Sequence, residues 1–312
     1  MDWYENIKPT TTYNDIGTLL VNNKNLYEDE AIIFLINNDN GFGSNLTVIV
    51  QNSLYLKNIN PNLHILGHFS INGFNFKYHD VSLNNSFFLY FNYLHDIPEN
   101  IKYYFVKLHF LDNYEFIKSQ SINGLNVDNI NINKVYSDYF KKNFKVKTND
   151  KIMDCINNIK KTTKIPLIGI HIRSFAQIFF ETRDITNTIE NRILKIKNEL
   201  DSKYIEYNIF LTTDVSDYII RCKNMFKDTN VKIYYNDFIS RINDDGNGKN
   251  GNLNGYKDSI IHLNEYTGFK LGSDIINDCL SLINCDNYYT SVTNIAFITS
   301  FLNEKMNGVH YN

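Results

Sequence analysis

Ten residues, Ile165-Pro166-Leu167-Ile168-Gly169-Ile170-His171-Ile172-Arg173-Ser174, leave this chain few folds to choose from. Five of the first eight are Ile or Leu, the mark of a strand buried on both faces in a parallel sheet. Parallel strands need long crossovers, so helices must cover the sheet and the fold class is α/β. Pro166 fits only at the start of such a strand, and Gly169 only where a neighbour comes close. His171 and Arg173 are two apart, hence on one face, at the carboxyl end where open α/β sheets bind ligands. An Arg there suits a phosphate, which its planar fork meets with paired, charge-assisted hydrogen bonds. On these ten residues alone, a packed core histidine and a solvated arginine read equally well.

The residues beyond Arg173 extend the α/β pattern. After a loop over 174–184 come a helix from Thr186 to Leu200, a strand over Tyr207–Asp214 and a helix over Val215–Phe226 with Asp214 or Ser216 near its N-cap. Val231–Tyr235 reads as a further strand, and Asp244–Gly255 as a glycine-rich loop, either a lid or an idle surface insertion. Leu271–Ile283 is an amphipathic helix with Asp274 and Asp278 four apart on one face. The hydroxyl-rich turn Ser291-Val292-Thr293-Asn294 then opens a last helix, Ile295–Glu304, and such a turn is an anion site.

The first half opens the same way. Ala31–Ile36 is a strand running into Asn37–Asn45, with Gly41 and Gly43 allowing close backbone approach and Ser44 or Asn45 capping a helix over Leu46–Leu56. The bland alternative is an ordinary βα turn. Leu63–His68 is the next strand, and Phe87–Tyr93 and Lys102–Leu111 are aromatic segments that suit strand or buried helix. Helices are expected over Val135–Phe144 and Asp150–Lys160, with a domain boundary between Lys145 and Lys164. The division is therefore residues 1–160 and 161–312.

Composition excludes several classes. With 31 basic and 34 acidic residues the net charge is −3, so neither nucleic acid nor an anionic membrane is a favoured partner. No apolar run reaches about 18 residues, so no membrane span is expected. Met1–Glu5 lacks the pattern of a signal peptide, which with four cysteines in no metal-ligand or disulfide spacing points to the cytoplasm. The scattered histidines suggest no metal site. Abundant Asn, Ile, Lys and Tyr reflect AT-rich coding, as in a virus or a low-GC microbe.

Taken in order, Gly41-Phe42-Gly43-Ser44-Asn45, His171-Ile172-Arg173-Ser174, Phe210-Leu211-Thr212-Thr213-Asp214, Lys270–Asp286 and Thr293-Asn294-Ile295-Ala296 resemble the fucosyltransferase superfamily, which spans α1,6-, α1,2- and protein O-fucosyltransferases. The resemblance covers roughly 31–56 and 164–304 and is best at the His-x-Arg strand and at Asp278 with Cys285-Asp286. It implies a GT-B-like fold, two Rossmann-like domains facing a cleft, and an inverting, metal-independent glycosyltransferase. The donor would be GDP-fucose and the acceptor a hydroxyl of a glycan or protein. By position, His171 and Asp278 would contact guanine or ribose, and Arg173 would grip the β-phosphate with Gly43 nearby. Thr293 and Asn294 would sit where the family's phosphate-binding small residues lie, while the hydroxyl-rich turn itself offers Ser291, Thr293 and Asn294 to phosphate oxygens. Many relatives follow the Arg with a second Arg or with an Asp three residues on, whereas Ser174-Phe175-Ala176 stand here. Glu181 and Asp184, in the loop after the key strand, are the candidates for a catalytic base, with a solvated loop charge the favoured reading of each. Another nucleotide-sugar donor, or a silent nucleotide- or sugar-binding protein, would also suit these residues.

Overall fold

The computed structural model describes residues 3–7, 16–37, 42–69, 85–108, 130–147, 150–173, 189–239, 241, 269–290, 295, 298–299, 302 and 308–310 of the 312-residue chain. The chain divides into two compact units: residues 1–147 with 267–273 and 300–304, and residues 148–266 with 274–299 and 305–312. Both are α/β, and each is organised about a parallel sheet.

In the first unit the described elements are helix α1 (Ile16–Asn22), strand β1 (Ile32–Asn37), helix α2 (Phe42–Ile59), strand β2 (His64–His68), the one-turn helix α3 (Phe87–Tyr90), strands β3 (Phe91–Tyr93) and β4 (Tyr103–Leu108), helix α4 (Ile130–Asn143) and strand β5 (Phe144–Val146). Strand β1 lies between β2 and β4 and runs parallel to both, while β3 and β5 form a separate antiparallel pair. The sheet therefore reverses its order at β1, and the turn after β1 leaves from that switch point.

Helix α2 begins at Phe42, not at Leu46 where the apolar periodicity starts. Phe42 is buried against Tyr90 and Phe91, with ring centroids 5.0 and 6.2 Å away. That packing outweighs the poor helix propensity of Gly43. Ser44 and Asn45 consequently sit inside the first turn and not at the cap expected of them. The aromatic segment 87–93 is one helical turn followed by a strand, and Phe87, Phe88, Tyr90 and Phe91 are core. Aromatic packing, with Phe87 and Phe91 4.8 Å apart, holds these rings in the core.

The core is tight at Gly67 of β2. A Cβ there would run into the ring of Phe87 and come within 2.8 Å of Ile49 Cδ1. Gly67→Ala is expected to lower stability by about 1–3 kcal/mol, the usual cost of overpacking. Chemical denaturation reads it, and an unchanged midpoint would show that Phe87 has room to move.

The second unit contains helix α5 (Asp150–Thr162), strand β6 (Leu167–Ile172), helix α6 (Ile189–Lys203), strand β7 (Asn208–Thr213), helix α7 (Ser216–Met225), strand β8 (Ile233–Tyr234), all of helix α8 (Phe269–Ile283) beyond its first turn, and strands β9 (Asn287–Thr290) and β10 (Gly308–His310). The strand order is β10-β9-β6-β7-β8, all parallel. The chain moves outward from β6 to β8 and returns to place β9 on the other side of β6. The order reverses between β6 and β9, so the carboxyl ends of these strands flank the crevice where such sheets bind ligands.

Every residue of β6 is buried, as the opening stretch requires. Gly169 is explained by close approach: a Cβ there would lie 3.0 Å from Leu282 Cδ2 of α8 and 3.1 Å from Tyr288 Cβ of β9. The amino end of β6 is clamped by Asp286, whose Oδ2 accepts the Leu167 N–H at 2.8 Å while Oδ1 accepts from Lys160 Nζ at 2.8 Å. Helix α7 takes Val215 as its N-cap residue, with Asp214 and Ser216 on either side of it, and the Thr213 hydroxyl accepts the Val215 N–H at 3.2 Å. Cys222 and Cys279 are buried, Cys155 and Cys285 half-buried, and all four are free thiols. Among the described residues no helix is long and apolar enough to cross a membrane.

Candidate functional site

The carboxyl end of β6 gathers the second unit's polar chemistry. His171 is 2% exposed, and its Nδ1 lies 3.1 Å from Thr212 Oγ1 on the neighbouring strand β7. In register it is paired with Thr212 on one side and with Thr290 of β9 on the other. Burial, then the positive charges of Arg173 and Arg192, hold its imidazole pKa down to about 3, so the ring is neutral at physiological pH. Neutral, it can donate from one ring nitrogen and accept at the other.

Arg173 follows the last residue of β6 and is half-buried. Its main-chain carbonyl accepts a 2.9 Å hydrogen bond from Arg192 Nη1. Arg192 belongs to the first turn of α6 and is only 3% exposed. Sequence reasoning missed it. The available signal was its position on the apolar stripe: it falls three residues after Ile189 and four before Ile196, both buried.

A second cluster forms where β7 ends and α8 passes. Asp278 is 7% exposed, and burial pushes its carboxyl well above the usual carboxylate range. The charge of Arg241 pulls the other way, while Asp274 and Asp214 push the carboxyl further up. The two acids read as one helical face are thus neighbours, and Asp214, at the end of β7, joins them. Arg241 was not foreseen. It is held by its Nε–H to the Thr213 carbonyl at 3.1 Å and by Nη1 to the Ile239 carbonyl at 3.2 Å. The arrangement offers a carboxyl edge for paired N–H donors close to a fixed cation.

In the first unit Asn45 is fully buried in the first turn of α2, and neither Nδ2 nor Oδ1 has a hydrogen-bond partner among the described residues. Gly43 and Ser44 lie in the same turn. Gly41, Glu181, Asp184, Ser291, Thr293 and Asn294 lie outside the described residues. Among those described, no group of His, Cys, Asp and Glu side chains is arranged to hold a metal ion. His64 is instead paired with Glu30 at 2.7 Å at the amino end of β2.

No protein-family model matches this chain, and no curated protein matches it in sequence. Among solved structures its fold is similar to those of fucosyltransferases. The crystal structure of fucosyltransferase NodZ from Bradyrhizobium aligns over 88% of this chain and 92% of its own, at 12% identity and a TM-score of 0.45. NodZ α-1,6-fucosyltransferase co-crystallised with GDP aligns over 89% and 94%, at 12% identity and a TM-score of 0.46. A variant of Arabidopsis thaliana FUT1 in complex with GDP aligns over 88% and 68%, at 10% identity and a TM-score of 0.42.

Proposed function

We propose that this chain is a glycosyltransferase that moves a sugar, fucose from GDP-fucose, onto a hydroxyl of a glycan or protein. The observation that supports it most is the meeting of Arg173, Arg192 and neutral His171 at the carboxyl end of β6, at the sheet's switch point. Such a place suits a diphosphate, and the base attached to it has a partner in Asp278. Guanine presents two adjacent N–H donors, and an ionised carboxylate accepts both. Binding would draw Asp278 back to its charged form, so the purine is recognised by charge-assisted hydrogen bonds.

The reaction in this reading is a single displacement. The acceptor oxygen forms its bond to the anomeric carbon as the bond from that carbon to the β-phosphate oxygen breaks. The configuration inverts, and the negative charge gathering on GDP is met by Arg173. Ser291, Thr293 and Asn294 are assigned to phosphate oxygens, and Gly41, Gly43, Ser44 and Asn45 are assigned to a second anion site on the first unit. Glu181 and Asp184 are the candidates for removing the acceptor's proton. Metal independence belongs to the proposal, and turnover undiminished by a chelator supports it.

Thermal unfolding in the presence of GDP, UDP and ADP tests the donor. A ligand at 100 times its Kd stabilises by about 2.7 kcal/mol, and GDP alone is expected to raise the melting temperature by a few degrees. A larger rise with UDP or ADP overturns the guanine assignment. The run Ser174-Phe175-Ala176, with no acid, favours a second reading, a silent binding protein. Stabilisation by GDP with no donor hydrolysis and no transfer selects it.

A further inference from the structure

We propose that Arg192 is a second cation of the anion subsite at the carboxyl end of β6: it positions Arg173 through a main-chain hydrogen bond and adds its own charge for a diphosphate. This rests on the reading of that strand end as a diphosphate site, and names a residue that the motifs of the chain do not contain.

Among the described residues the guanidinium of Arg192 is poorly matched. Its Nη1 donates to the Arg173 carbonyl, but its Nε and Nη2 are buried with no hydrogen-bond partner among the described residues. The acid nearest in sequence, Glu190, is spent on Arg221, at 2.7 Å, and Arg221 also holds Asp217 at 2.6 Å. A buried guanidinium without a carboxylate is costly, and an apolar side chain between Ile189, Ile193 and Ile196 would fill the position more favourably. The cost is recovered when a multiply charged anion arrives, because a charge acts strongly across a dry, low-dielectric gap.

Two further observations place that anion. Arg192 Nη1 reaches the Arg173 carbonyl at 2.9 Å, and the charges of both residues lower the pKa of the neighbouring His171 imidazole, so both cations belong to this end of β6. The amino end of α6, a helix of 15 residues, brings the positive end of its dipole to the same edge. Arg192 acts through charge and through Arg173, and is a positioning residue.

The test measures binding of inorganic pyrophosphate and of GDP by calorimetry, with melting curves of the unliganded protein, for wild type and Arg192→Met. The variant is expected to melt no lower than wild type, since it loses an unmatched buried charge. Its affinity for pyrophosphate and GDP is expected to fall about ten- to hundred-fold, the range of one charged interaction. Arg192→Gln keeps a donor for the Arg173 carbonyl and removes the charge, and is expected to show the same loss should the Met variant fail to fold. Arg192→Lys restores much of the binding, which a purely structural role does not predict. Charge-free variants that bind pyrophosphate as tightly as wild type overturn the inference, as does a wild type that ignores pyrophosphate. A wild type that binds pyrophosphate through Arg192 but prefers no guanine nucleotide sustains the inference and removes the GDP reading.

Discussion

Arg173→Ala is expected to lower transfer from a GDP-sugar by about two to three orders of magnitude in kcat, the usual cost of deleting one donor aimed at developing negative charge. The position explains why the loss should be catalytic and not structural. Arg173 follows the central strand and is half-buried, and alanine retains the main-chain carbonyl that accepts from Arg192 Nη1. The strand is pinned at its other end by Asp286 and along its length by parallel pairing to β7 and β9. A melting temperature close to wild type should therefore accompany the loss of turnover. Arg173→Lys keeps a point charge without the fork, and should recover part of the rate. Turnover within a few-fold of wild type in the alanine variant would remove Arg173 from the reaction. A parallel loss of folding would reassign it to structure.

How far the sequence carries can be seen by comparing neighbouring residues. The run 165–172 announced a central parallel strand, and β6 is one, with Gly169 close to α8 and β9 as a strand glycine demands. The alternation of strands and helices after it is readable because parallel strands are apolar throughout and amphipathic helices are not. Asp274 and Asp278 could be paired by helical spacing alone. Arg192 could not, because a charge on an apolar stripe is discounted by periodicity, although its burial is what makes it informative. Asp286, one of the best parts of the resemblance, turns out to clamp the amino end of β6, so a recognisable residue there reports on packing. The early start of α2 was hidden for a related reason: Phe42 is fixed by the rings of Phe69, Tyr90 and Phe91, far along the chain, which no local pattern contains.

Acidification should destabilise the unliganded protein by about 3 kcal/mol between pH 7 and pH 4 through His171 alone. Its folded pKa is held down to about 3, against an ordinary value of 6.5. Between those values the unfolded chain binds the proton and the folded chain does not, so stability falls as pH falls. The contribution is complete above about pH 6.5 and is lost as pH drops toward the folded value. Asp278 works in the opposite sense. Its folded pKa is raised, so the folded protein holds the extra proton from the ordinary carboxylate range upward, and stability falls as pH rises through that window. The two partly cancel in wild type, and variants separate them. His171→Asn, which can still bond Thr212, should flatten the acid limb, while Asp278→Asn should steepen it. Urea unfolding at steps from pH 4 to pH 8 measures both, and a wild-type-minus-His171→Asn difference that does not change with pH would show that the imidazole is not held neutral. Because Arg173 and Arg192 supply the charges that add to burial in lowering the His171 pKa, a bound diphosphate should offset them and raise it. Repeating the titration with saturating pyrophosphate should then shrink the acid-side loss, tying the proton at His171 to the anion at the same strand end.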